Sequence, residues 1–187
     1  DAVRVICLTG AGRGFCAGQD LGERDPRGRT EPFDVEAIQI ELFHPIVRAI
    51  ANTPKPVVAS VNGVAAGAGA AFALACDIVA AAQSAKFIQS FSRVGLSVDA
   101  GGGLALVNSL GLPRAKAALM LGEAIPADEA AAMGMIWKAV PDPALRDETA
   151  ALCTRLAATP RTALACIKQA MTAVATATDL DDYLKHE

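Results

Sequence analysis

An aspartate set between apolar residues and glycines, Asp99 in GLSVDAGGG (95–103), has two chemical uses. A carboxylate beside Leu96, Val98 and Leu104 is poorly solvated, and desolvation raises a carboxyl pKa towards values useful for acid–base work. The same residue is also a favoured N-cap for a helix opening at Ala100. The two uses compete, because a carboxylate that accepts amide hydrogen bonds becomes less basic. A second group with chemical potential is main chain. FCAGQDL (15–21) and NGVAAGAGAAFALACD (62–77) put small-residue turns directly after apolar strands, where backbone N–H groups are exposed. Small residues from Ala66 to Ala70 let a ligand approach the main chain, and a helix start adds a positive dipole end at the same place. Two such N–H groups facing each other form an oxyanion hole, which stabilises charge developing on a carbonyl oxygen. The Ala/Gly run serves close helix packing equally well.

Other reactive residue types fit structural roles. Asp20 suits ordering of its turn through backbone hydrogen bonds. Asp77 falls at a helix end, where a buried carboxylate needs a partner. Cys16 has no histidine placed to activate it, and His44 precedes Pro45 on a mostly apolar helix. GAGRGFCAG has G-x-G-x-G spacing and runs into a polar loop, unlike a dinucleotide-binding turn, which opens a helix. The five cysteines are scattered, without a C-x-x-C pair and with only two histidines, so no metal site is expected.

The elements that must position these groups follow from the apolar pattern. VRVICLTG (3–10) and KPVVASVNG (55–63) read as buried strands, GAGAAFALACD (67–77) as a small-residue helix and DIVAAA (77–82) as a third strand. This β-α-β order predicts a parallel sheet. Residues 22–34 are charged, contain two prolines and read as an exposed loop. A helix is expected over 35–51, with Ile38, Leu42, Ile46 and Ile50 on its buried face and a kink at Pro45. Beyond Gly95 the pattern is mostly helical, several helices opening at or just after a proline. One domain over 1–187 is expected, with a core over about 1–110 and a helical region over about 111–187. The chain opens almost directly on a complete strand, so a shortened N-terminus is expected.

With 52% hydrophobic and 20% charged residues, 187 residues can bury a core. Seventeen basic against 20 acidic side chains give a net charge of -3, without broad attraction to nucleic acid or anionic membrane. The apolar stretch 64–82 is interrupted by Gly67, Gly69 and Asp77, so no membrane span is expected. A cytoplasmic location with reduced thiols is the expectation.

GRGFCAGQDL, PKPVVASVNGVAAGAGAAFALACDIVAA, FSRVGLSVDAGG and ADEAAAMGMIWKAV together resemble the enoyl-CoA hydratase/isomerase (crotonase) superfamily, in order and over nearly the whole chain. The resemblance implies an α/β, ClpP/crotonase-like spiral of β-β-α units with a helical C-terminal region, assembled as a homotrimer or dimer of trimers. It implies that the thioester oxygen of an acyl-CoA substrate lies between the backbone N–H groups of Gln19 and Ala68, with Ala17, Gly18, Asp20, Leu21 and Gly67 along the substrate. Coenzyme A is then part of the substrate and no separate cofactor is expected. Hydratases of the superfamily carry two glutamates, whose positions here hold Ala71 and Phe91. Asp99 falls where several isomerases and lyases carry their single acidic residue. The segments are most similar to the phenylacetate-degradation branch, which isomerises a ring epoxide to an oxepin; an associated reaction moves a double bond from the 3- to the 2-enoyl position. The sequence departs from the pattern at Asn108, where arginine is frequent, and at Ala68, where glycine is frequent. A hydratase or other CoA-thioester lyase, and a non-catalytic acyl-CoA- or protein-binding homologue, are the alternatives.

Overall fold

A computed structural model describes residues 2–20, 22, 34–174, 179, 181 and 183. Leu21 and most of the expected 22–34 loop lie outside the described residues. Among the described residues, eight short strands form two four-stranded sheets. The first sheet has the order β1 (Ile6–Thr9), β3 (Val57–Val61), β5 (Ile78–Ala82) and β8 (Lys138–Val140), all parallel. The second has the order β2 (Gly14–Cys16), β4 (Val64–Ala66), β6 (Lys86–Ile88) and β7 (Ala124–Pro126), parallel except for β6 with β7. Each of the pairs β1–β2, β3–β4 and β5–β6 gives one strand to each sheet, and each new pair lies alongside the last, so the chain winds as a spiral.

Burial explains the strand composition. All five residues of β3 are buried, and such a strand is a continuous run of small and β-branched side chains with no polar alternation. In β5 the run is closed by three alanines, which leave room for the helices above. Helix α3 (Ala68–Leu74) packs on β2, β3 and β4, while α6 (Leu145–Ala158) packs on β3 and β5. Phe87 and Leu106 are the largest of the fully buried side chains.

The helix expected over 35–51 exists, but in three pieces: α1 (Val35–Ile38), a π-helical segment (Gln39–Phe43) and α2 (His44–Asn52). Pro45 is the cause. It offers no N–H to the Glu41 carbonyl and its ring crowds that carbonyl, and just upstream the His44 N–H bonds five residues back to Gln39 O. The extra residue shifts the phase of the helix. Of the three isoleucines and one leucine expected inward, only Ile50 is buried, while Leu42 and Ile46 are exposed; the face turned to the protein is Gln39, Phe43, Val47 and Ile50.

The C-terminal half is helical: α4 (Gly102–Leu121), α5 (Ala127–Ala132), α6 and α7 (Arg161–Ala173). A break at Gly111, two residues before Pro113, divides α4. Asp77 is exposed rather than buried, and it is paired with Lys168 of α7. Its ammonium bonds Asp77 Oδ2 at 2.8 Å and the carbonyls of Ile50 and Lys55 at 2.8 and 3.2 Å, tying the last helix to β3 and β5. Among the described residues no helix is long and apolar enough to cross a membrane.

Candidate active site

The β1–β2 turn is held from the next unit of the spiral. Asn62, directly after β3, accepts the Gly10 N–H at 2.9 Å and donates to the carbonyls of Gly12 and Gly14 at 3.0 and 3.2 Å. The glycine cluster is thus a clamped turn that leads into strand β2. Beyond β2, Gly18 adopts φ +85°, and a Cβ there would stand 2.8 Å from Ala66 O and 3.3 Å from Ala68 N. Only glycine allows the 17–19 and 66–68 turns to come this close. Helix α3 is seated in the same manner: a Cβ on Gly69 would meet Cys16 O at 2.2 Å.

The two turns open on one small cavity, about 70 Å³, lined by Ala17, Gly18, Gln19, Gly67 and Ala68 together with Asp99, with Ser90, Phe91, Val94 and Leu96 completing the wall. The Gly67 N–H is engaged by Ile88 O at 2.9 Å. Ala68 is the first residue of α3, and the N–H of a first helical residue has no acceptor within its own helix. A space of this size takes a carbonyl and its neighbouring atoms. Larger grooves, about 450 and 340 Å³, lie along α7, but their charged residues Asp77 and Lys168 are bonded to each other.

Asp99 is not a helix cap. Ala100 is left-handed with φ +48° and Gly101 with φ +73°, so α4 opens at Gly102 with Gly101 as its N-cap and without a side-chain cap bond. The Asp99 backbone carbonyl receives the Gly102 N–H at 2.8 Å, and its side chain receives Gln39 Nε2 on Oδ2 at 2.8 Å. The apolar surroundings differ from expectation in one respect. Leu96 lines the cavity, but Leu104 points to solvent, because α4 starts two residues late and turns it outward.

The structure brings together six of the eight residues expected at the site. Asp20 does not line the cavity; it is exposed, and its Oδ1 accepts the Gly22 N–H at 2.8 Å, a turn-ordering bond. Leu21 lies outside the described residues. Ala71 and Phe91, at the positions of the hydratase glutamates, are both buried: Ala71 packs with Ala68 and Ala100, and Phe91 walls the cavity. Sequence reasoning missed Ser90 and Gln39. Ser90 adjoins Phe91 and was open to inference, but nothing in the chain links Gln39 to a partner 60 residues away. Among the described residues, no group of three or more His, Cys, Asp or Glu could hold a metal ion.

The profile of the enoyl-CoA hydratase/isomerase family matches residues 1–187. A probable enoyl-CoA hydratase of Rhodobacter capsulatus is 48% identical over 89% of this chain and 63% of its own length. The 1,2-epoxyphenylacetyl-CoA isomerase of Escherichia coli K12 is 47% identical over all of this chain and 71% of its own. The chain therefore spans about two thirds of the length of these relatives. The crystal structure of an enoyl-CoA hydratase from Polaromonas sp. JS666 superposes with a TM-score of 0.90 at 38% identity, covering 98% of this chain and 71% of that one. The spiral of paired strands with its helical C-terminal region is accordingly a crotonase fold. By sequence and by fold, the chain belongs to the enoyl-CoA hydratase/isomerase family.

Proposed function

We propose that this chain is an isomerase of CoA thioesters, acting on 2-(1,2-epoxy-1,2-dihydrophenyl)acetyl-CoA to form the oxepin, on 3-enoyl-CoA to form 2-enoyl-CoA, or on both. The observation that carries the reading is that Asp99, the one carboxylate among the described lining residues, shares a 70 Å³ cavity with the Gln19 and Ala68 turns, with Ala71 and Phe91 where a hydratase needs its two acids. The E. coli relative's name as an epoxyphenylacetyl-CoA isomerase supports the ring-epoxide substrate. The R. capsulatus relative bears a hydratase's name, but among the described residues that line the cavity no second carboxylate stands with Asp99 to activate water.

In this reading the thioester oxygen sits between the N–H groups of Gln19 and Ala68. As the C–H bond next to the thioester carbon breaks, its electron pair spreads onto that oxygen and its proton forms an O–H bond with Asp99. Return of the proton to a different carbon completes a double-bond shift, with no atom gained or lost. Each amide donor is worth about 3 kcal/mol in such a transition state, and the proton acceptor about 10²–10⁴-fold in rate. No cofactor beyond the substrate's own coenzyme A takes part. The working unit is a homotrimer or dimer of trimers, for which exposed apolar residues of α4 and α7 such as Met120, Ile167 and Met171 offer surface.

The test is incubation of the full chain and of Asp99→Asn with the ring-epoxide and 3-enoyl thioesters, followed by mass and ultraviolet analysis. The parent converts at least one substrate to an isomer of equal mass, and the variant loses at least about 100-fold in rate at unchanged affinity. A product 18 mass units heavier, the mass of one water, or an Asp99→Asn variant as fast as the parent overturns the reading.

A further inference from the structure

The π-helical segment places one polar side chain against the candidate acid–base group. Gln39 opens that segment and is 7% exposed. Its Nε2 donates to Asp99 Oδ2 at 2.8 Å. Its other amide atom, Oε1, is buried and has no hydrogen-bond partner among the described residues. A buried amide with one end on a carboxylate and its acceptor end unspent is an unusual arrangement, since buried polar atoms are normally satisfied.

The two ends of the amide match the two forms of the acid. An ionised carboxylate only accepts, so it takes the NH₂ end; a protonated one donates from its O–H and needs an acceptor. A half-turn of the amide about its last side-chain bond exchanges Nε2 for Oε1 at the same place. We propose that Gln39 is a positioning residue for Asp99, holding the carboxylate through Nε2 before proton transfer and the carboxylic acid through Oε1 after it. Breaking of the substrate C–H bond leaves the electron pair on the substrate and forms O–H on Asp99; the amide then turns, and it turns back as the proton leaves. Gln39 thereby fixes the plane of the carboxyl group in both states. This inference rests on the reading of Asp99 as the acid–base group.

Gln39→Met in the full chain keeps the length of the side chain and removes both donor and acceptor. It is expected to lower kcat on the isomerised thioester about 10- to 100-fold, as a misplaced catalytic group does, while KM stays within about twofold of the parent. The deuterium isotope effect with substrate labelled at the transferred C–H rises, because proton transfer becomes limiting. Gln39→Leu removes both donor and acceptor at similar volume, so it falls in the same way and serves if the Met variant does not fold. In an Asp99→Asn background Gln39→Met has no further effect, since residues acting as a unit are not additive. A variant with parental kcat and isotope effect, or one that raises KM at constant kcat, overturns the role of Gln39. If Asp99→Asn itself retains parental turnover, it is the acid–base reading of Asp99 that fails.

Discussion

Gly69→Ala should destabilise the protein although it replaces glycine by the best helix former. Gly69 is the second residue of α3, where alanine is worth up to about 1 kcal/mol over glycine by propensity. Packing opposes this. The new Cβ would lie 2.2 Å from Cys16 O, 2.7 Å from Cys16 Cβ and 2.8 Å from Cys16 C, whereas ordinary contacts lie at 3.4–4 Å. Helix and strand must separate by about 1.2 Å, and two of the obstructing atoms are main chain of β2 and cannot rotate away. Overpacking of this kind costs about 1–3 kcal/mol; at the upper end, and less the propensity gain, the net loss is about 2 kcal/mol. For a chain of this size that lowers Tm by roughly 4–8 °C. The displaced atoms carry the Ala68 N–H away from the 17–19 turn, and an error near 1 Å costs on the order of 100-fold in turnover. Thermal unfolding and steady-state assays on parent and variant measure both effects. A Gly69→Ala protein as stable as the parent, or more so, would refute the steric reasoning.

Three further outcomes follow from other contacts. Lys168→Met removes three hydrogen bonds from an ammonium whose side chain is only 9% exposed, and urea unfolding should show a loss of about 2 kcal/mol; an unchanged midpoint counts against α7 being held by Asp77. Burial, then the Asp77 charge, pushes the Cys76 thiol from 9.0 up to about 12, with Lys168 pulling it partly back. The folded state keeps that proton after the unfolded state has lost it, so the contribution is complete below about pH 9 and lost between about 9 and 12. The urea midpoint should therefore fall from about pH 8 to about pH 10.5, and fall less in Cys76→Ala; parallel curves would exclude the assignment. Ala71→Glu, which restores one hydratase acid, should cost about 3 kcal/mol or more and produce no hydration, because Ala71 is 1% exposed and α4 at Gly102 approaches it closely; a stable variant that adds water to a 2-enoyl thioester would contradict this.

The parts of the fold legible in the sequence are those whose signal is local. β5 is an unbroken apolar run and β3 one interrupted only by Ser60, and the helices that follow Pro126, Pro143 and Pro160 announce their own starts. β2, β4, β6, β7 and β8 have three residues each, too few to establish a period, and exist because a neighbouring strand supplies their hydrogen bonds. The site divides along the same line. The turns at 17–19 and 66–68 could be read from their glycines and alanines. The conformation at Asp99 could not, because left-handed Ala100 opposes the intrinsic preference of alanine and is imposed by packing against Ala68 and Ala71. The inward face of the 35–51 segment differs from its periodic reading for a comparable reason: regular spacing assumes a constant number of residues per turn, and the π-helical segment breaks it.

A π-helical turn is an α-helix that carries one residue too many, so its removal has a defined geometric result. Deleting one residue from 40–43 would let the segment close as a regular helix, turning everything before it by about 100° relative to α2. Gln39 would leave Asp99, and Leu42 or its successor would change sides. Point substitutions along this segment adjust single contacts, but a one-codon deletion exchanges the face presented to the cavity while leaving nearly every side chain in the sequence. In this part of the chain, residue count is a variable of the site in its own right.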